Sequence, residues 1–139
     1  MDELGRVGEF LEADWFAVVG ASPNREKYGN KVLRAYQQAG KEAVPIHPAA
    51  EEVEGVSVSP SLTRLMEQYS EKGVPAISVI TPPAVTEKVM QEAVELGIRH
   101  VWLQPGAENE EAKNIARNAG INLIAEGPCV LVQLRFRDI

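Results

Sequence analysis

The 139-residue sequence contains one cysteine, Cys129. A lone cysteine closes no internal disulfide and forms no CxxC or Cys/His metal cluster, which removes zinc-ribbon and thioredoxin chemistry and fits a reducing compartment such as the cytosol. Positive charge is also scarce, with 14 Lys+Arg against 20 Asp+Glu and a formal charge of −6. Nucleic-acid affinity rests on Lys and Arg neutralising many phosphates, so DNA and RNA are not expected partners. No run reaches 18 uninterrupted apolar residues, and the start, Met1-Asp2-Glu3-Leu4, lacks the basic segment of a secretory signal. A cytoplasmic protein with no membrane association is expected. What is present is a chain with 45% hydrophobic residues, long enough to build one core without staples. Residues 1–139 are therefore read as a single domain.

Apolar, partly β-branched runs alternate with amphipathic segments that end in glycine, the signature of repeated βα units. Val32, Tyr36 and Ala39 share a helical face before Gly40; Val85, Val89, Ala93 and Leu96 do so before Gly97; Ala112, Ile115, Ala116 and Ala119 do so before Gly120. Each glycine suits the left-handed residue that ends a helix. Strands are expected at Trp15 to Val19, Ala43 to Ile46, Ala76 to Ile80, His100 to Leu103 and Ile121 to Ala125. Their continuous apolar character suits a parallel sheet covered on both faces, with Pro45 belonging at an edge or a strand start. Residues 3–12 read as a further helix, 51–60 as a loop with a brief strand, and 61–69 as a helix with Ser61 as N-cap. The expected fold is α/β, Rossmann-like and doubly wound, with about five parallel strands and helices on both faces.

In such a sheet ligands bind beyond the carboxyl ends of the strands, near the reversal of strand order. The loop Gly20-Ala21-Ser22-Pro23 follows the first strand and leads to Gly29-Asn30 at a helix start, where free N–H groups and the positive helix end suit a pyrophosphate. It is not the G-x-G-x-x-G fingerprint, and a plain tight turn served by Ser22 is the other reading. Arg25 and Lys27 are the basic residues of this loop, either phosphate contacts or solvated surface charge. After the second strand an NAD site wants an acidic residue for the ribose, but the chain offers His47-Pro48, which argues against NAD. His47 either donates a hydrogen bond to a phosphorylated ribose or caps a strand end. Thr81-Pro82-Pro83 combines a helix start at Pro83 with a donor-free wall suited to an extended apolar ligand arm. Leu103-Gln104-Pro105-Gly106 adds an amide and a turn beside it. No catalytic set emerges, since Ser22 lacks a G-x-S-x-G setting and the two histidines lie in unrelated contexts. Cys129 is placed at the cleft end of the last strand, where it either meets a ligand thiol or is a buried, inert residue.

Taken in order, Val18-Val19-Gly20-Ala21-Ser22-Pro23, Ile46-His47-Pro48, Val79-Ile80-Thr81-Pro82-Pro83, Val101-Trp102-Leu103-Gln104-Pro105-Gly106 and Gly127-Pro128-Cys129 resemble the stand-alone CoA-binding domain family. The same domain is similar to the N-terminal part of the succinyl-CoA synthetase α subunit and of ADP-forming acyl-CoA synthetases. The resemblance implies a fold that binds coenzyme A, with phosphates at Gly20-Ala21-Ser22-Pro23 and the pantetheine arm along Thr81-Pro82-Pro83 and Leu103-Gln104-Pro105. The synthetase subunit carries a Lys two residues past the Pro of the second loop, where this chain has Ala50, removing one expected contact. The chain ends before the synthetase's next domain and its phosphorylated histidine, and it has no ATP-grasp domain. The expectation is thus a CoA- or acyl-CoA-binding protein without catalysis of its own. The alternatives are a non-catalytic subunit of an acyl-CoA ligase completed by another chain and, on fold alone, an NAD(P)-linked redox or sensor domain. Expected partners are the small molecule and either a second copy of the chain or a synthetase chain.

Overall fold

The computed structural model describes residues 2–139. In chain order the elements are α1 (Glu3–Leu11), β1 (Phe16–Val19), α2 (Tyr28–Gln38), β2 (Ala43–Ile46), the hairpin β3 (Glu52–Val53) and β4 (Val56–Ser57), and α3 (Leu62–Gln68). After them come β5 (Ala76–Val79), α4 (Pro83–Glu95), β6 (His100–Leu103), α5 (Glu110–Asn118), β7 (Asn122–Ile124) and the short α6 (Val130–Gln133). Gly40, Gly97 and Gly120 all have φ between 72° and 76°, as the helix-stop pattern requires. Ser61 caps α3 by accepting from the Arg64 N–H, and Pro83 opens α4. Among the described residues no helix is long and apolar enough to cross a membrane.

The main sheet has the order β2-β1-β5-β6-β7 with every neighbour parallel. The chain therefore steps from β1 to one side and returns to the other, and the order reverses between β1 and β5. This is the doubly wound arrangement, and it sets the crevice at the carboxyl ends of those two strands. Successive strand residues supply opposite cores, which is why the strands read as unbroken apolar runs. Phe16, Val18 and Trp102 pack with Phe10 of α1 and Val32 and Tyr36 of α2. Ala17, Val19, Ile77, Val79 and Leu103 pack with Leu65 of α3, Met90 of α4 and Ala112 of α5.

Pro45 sits on the edge strand β2. The Phe16 N–H donates to Glu42 O and the Gly20 N–H to Ile46 O, so the alternating Pro45 ring faces away from β1, where no ladder bond is lost. Its carbonyl still accepts from the Ser59 N–H at 3.1 Å, and the His47 N–H donates to Ser59 O at 3.1 Å, so the segment after the hairpin covers this edge. At the opposite edge, a groove of about 280 Å³ runs along β7 and is flanked by Glu3, Arg6, Arg117 and Glu126.

Candidate functional site

The crevice is built by two glycines. A Cβ on Gly20 would lie 1.9 Å from Ile80 O, and one on Gly29 would lie 2.0 Å from Gly20 O. Backbone therefore touches backbone where β1, β5 and the start of α2 converge, and neither position has room for a side chain. Gly29 is thus the residue that lets α2 begin directly over the end of β1.

Helices α1, α3 and α5 are capped by Asp2, Ser61 and Asn109, whereas α2 and α4, which follow the two strands flanking the crevice, have no side-chain cap. At α2 the first intrahelical bond runs from the Lys31 N–H to Lys27 O, which leaves the N–H groups of Tyr28, Gly29 and Asn30 without helical acceptors. At α4 the two prolines remove donors instead. One side of the crevice thus offers donors and positive potential, and the other offers donor-free surface.

The sequence-expected residues fall into distinct roles. Ala21 is buried in the core, and Ser22 Oγ accepts from the Asn24 N–H at 3.1 Å, which shapes the loop before exposed Pro23. Asn30 is fully buried, and its side chain is committed to protein groups. Nδ2 donates to Ser22 O at 2.9 Å and to Glu54 at 3.1 Å, and Oδ1 accepts from Arg34 Nε at 2.7 Å. With 0% exposure, Asn30 shapes the loop from beneath. Arg25 is exposed and lies 3.5 Å from Glu54, while Lys27, also exposed, has no ion-pair partner among the described residues. Arg34, buried beneath the loop, also holds Arg25 O at 2.9 Å and Asp138 at 3.1 Å.

At the end of β2, His47 Nδ1 accepts from the N–H groups of Ala49 and Ala50 at 3.0 and 2.9 Å. This caps the turn through exposed Pro48 and puts the proton of the neutral ring on Nε2, making His47 a donor where an NAD site wants an acceptor. The Thr81 hydroxyl bonds that of Thr86 at 2.7 Å, tying the β5 loop to α4. Two concavities border this loop. One of about 290 Å³ is lined by Ile80, Thr81, Pro82, Pro105, Gly106 and Ala107. The other, of about 220 Å³, lies between the ends of β1 and β2 and helices α3 and α4, with Ile46, Pro48, Leu62, Val85 and Val89 among its walls. Val85, expected on the core face of its helix, is 44% exposed because it borders this second hollow.

Leu103 is buried in the core, so only its backbone is near the ligand side. Gln104 is fully buried. Its Oε1 accepts from Tyr28 Oη at 3.2 Å and from the Val130 N–H at 3.0 Å, while its Nε2 has no partner. Cys129 is half-buried, and its Sγ contacts Tyr28 Oη. Burial, with the Cys129 contact acting the same way, pushes the Tyr28 phenol well above the ordinary tyrosine range. Sequence reading passed over Tyr28, Arg34 and Glu54. Arg34 was recoverable from its i,i+4 spacing to Asn30, and Tyr28 from an aromatic opening a helix directly before Gly29.

A family model described as a CoA binding domain matches residues 15–135. A curated relative, the uncharacterized protein YneT of Bacillus subtilis, is 28% identical over 110 residues, spanning 79% of this chain and 78% of that one. A conserved hypothetical protein from Pyrococcus furiosus has a solved structure with 37% identity and a TM-score of 0.75, covering 86% of this chain and 97% of that one. At the level of fold alone, 79% of this chain also matches 25% of a dinucleotide-forming acetyl-coenzyme A synthetase from Ca. Korarchaeum cryptofilum, at 23% identity and a TM-score of 0.65. With the ordered loop motifs, the strand order and the match across nearly its whole length in agreement, this chain belongs to the CoA binding domain family.

Proposed function

We propose that this protein is a cytoplasmic, single-domain binder of coenzyme A or an acyl-CoA, with no catalysis of its own. The family match over residues 15–135 carries the reading. The arrangement of the crevice fits the ligand's two chemistries. CoA is anionic at its nucleotide end, which suits the uncapped start of α2, the Ser22 loop, Lys27 and the Nε2 of His47, whose Nδ1 is already engaged. Its pantetheine arm is long and largely apolar, with amide groups along it. The hollow between Thr81-Pro82 and Pro105-Gly106 suits that arm, and the unpaired Nε2 of Gln104 is a buried donor in want of a carbonyl.

The test is a thermal shift. A ligand at a hundredfold excess over its Kd stabilises by about 2.7 kcal/mol, which for a domain of this length raises Tm by roughly 10 °C. CoA should produce such a shift and NAD a smaller one; no shift at millimolar CoA, or a larger one with NAD, rejects the reading. Ser22→Asp isolates the phosphate end, because a carboxylate can still accept from the Asn24 N–H while adding negative charge. Affinity for CoA should fall roughly tenfold or more, given about 4 kcal/mol between unit charges 4 Å apart near a surface. Unchanged affinity in a calorimetric titration would exclude this loop as the phosphate site.

A further inference from the structure

The sulfur of Cys129 is the reactive group of the crevice that CoA binding leaves unused. Trp102 Nε1 donates to Pro128 O at 2.9 Å and so fixes the turn that carries the cysteine away from the end of β7. Half-buried there, Sγ touches Tyr28 Oη, which in turn reaches Gln104 Oε1 at 3.2 Å. One phenolic hydrogen cannot serve both neighbours at once. With the sulfur protonated, its S–H donates to Tyr28, and Tyr28 donates onward to Gln104. With the sulfur ionised, the Tyr28 O–H turns to it, and Gln104 Oε1 keeps the Val130 N–H at 3.0 Å. No buried acceptor is stranded in either state. Because burial holds Tyr28 protonated, the phenol remains a donor to the thiolate.

A second observation points to a ligand. Gln104 is fully buried, and the Nε2 of the amide that holds Tyr28 has no acceptor in the protein. The arm of CoA ends in an amide followed by two methylenes and a thiol. Gln104, Tyr28 and Cys129 are joined in one chain of contacts, so a ligand amide held at Gln104 would bring a sulfur two methylenes further on toward Cys129. No other cysteine exists in the chain, so any disulfide made by Cys129 has an outside partner.

We infer that Cys129 captures CoA covalently, by thiol–disulfide exchange with the disulfide of CoA. The inference rests on the reading of this crevice as a CoA site. The Cys129 thiolate attacks one sulfur of the CoA disulfide, a bond forms between Sγ and that sulfur, and the disulfide bond breaks. The departing CoA thiolate takes up the proton that Cys129 gave up. One disulfide is consumed and one is formed, so no external oxidant is required. The product is a protein–CoA mixed disulfide, formed once per chain and reversed by an incoming thiol.

Reduced protein incubated with CoA disulfide, and separately with glutathione disulfide at equal concentration, tests this by intact mass against time. Reduced CoA is titrated in parallel by calorimetry. One CoA moiety should add per chain, roughly tenfold or more faster than glutathione because binding positions the reacting sulfur. Dithiothreitol should remove it. Tyr28→Phe, with its folding verified by melting, should slow the CoA reaction severalfold, since the attacking sulfur loses the hydroxyl that faces it. Binding of reduced CoA without adduct, or with an adduct that forms no faster than that of glutathione, overturns the exchange and leaves the CoA reading standing. An absence of binding in the titration overturns both.

Discussion

Gly29→Ala probes the contact on which the crevice depends. Gly29 lies inside α2, so its backbone is compatible with alanine and only space is at issue. The added Cβ would stand 2.0 Å from Gly20 O and 3.0 Å from Gly20 C. A relaxed C···O contact is about 3.3 Å, so the first turn of α2 must back away by about 1 Å. That movement stretches the 2.9 Å bond from Asn30 to Ser22 O beyond reach, along with the 3.2 Å bond from Tyr28 to Gln104. Losing them costs about 1–3 kcal/mol for the buried Asn30 donor and about 1 kcal/mol for the other. Residual overpacking adds about 1–3 kcal/mol, and the better helix propensity of alanine returns about 1 kcal/mol. The net is about 4 kcal/mol, roughly a 14 °C fall in Tm, together with weakened CoA binding, since the N–H groups of α2 move with the helix. Urea unfolding should show a lower midpoint at an unchanged slope. Gly8→Ala is the control: in α1 a Cβ meets nothing within 4 Å, so it should stabilise by about 0.5–1 kcal/mol. A Gly29→Ala protein that melts within about 3 °C of wild type would refute the close-approach argument.

Tyr36 and Ser78 are both fully buried and share a 2.6 Å hydrogen bond between α2 and β5. Tyr36→Phe should cost about 1–3 kcal/mol by stranding Ser78, and adding Ser78→Ala should recover part of the loss; additive effects in that double-mutant cycle would deny the coupling. Lys113 lies between Glu110 and Glu126. Hydrogen bonds to Glu110 and Glu126 raise its proton affinity, and the Lys113 bond holds Glu126 below the usual carboxylate range. The Glu126 contribution is complete above its unfolded pKa and fades as pH falls through the lower folded value. That of Lys113 is complete below its unfolded pKa and fades as pH rises through the raised one. Tm of Lys113→Met should therefore vary less than wild type at both acidic and alkaline extremes, and an unchanged profile would count against the pairing.

The order of strands and loops was legible because each βα unit carries its own punctuation. Gly40, Gly97 and Gly120 end helices, Ser61 begins one, and Pro45 announces an edge. The helix α6 escaped, and the stretch 51–60, expected as a loop with a brief strand, closes as the β3–β4 hairpin, each for a local reason. The four residues of α6 are too few to show a helical period, and the β3–β4 turn uses Glu54 at φ 48°, a residue type that does not advertise left-handed backbone. At the site, the loops could be ranked from topology alone, but the commitments of their side chains could not. Asn30 is engaged by Glu54, 24 residues away, and the same carboxylate lies against Arg25. Cys129 meets Tyr28, and Tyr28 meets Gln104, a chain across 101 and 76 residues of sequence that only the fold arranges.

The Pro45 ring and the Ser59 strap give the sheet a direction of growth. A strand arriving at β2 finds no N–H on Pro45 and its carbonyl already occupied. At β7 the Asn122 N–H turns inward to Arg99 O, so by ladder alternation the backbone N–H and C=O of Leu123 face the open edge, beside Arg6, Arg117, Glu3 and Glu126, while its side chain stays in the core. One flank is closed by chemistry that cannot pair and the other is policed by charge, two different defences against the same hazard. Replacing the two arginines would disarm only one of them, so edge-to-edge aggregation of such a variant would run through β7 and leave β2 untouched.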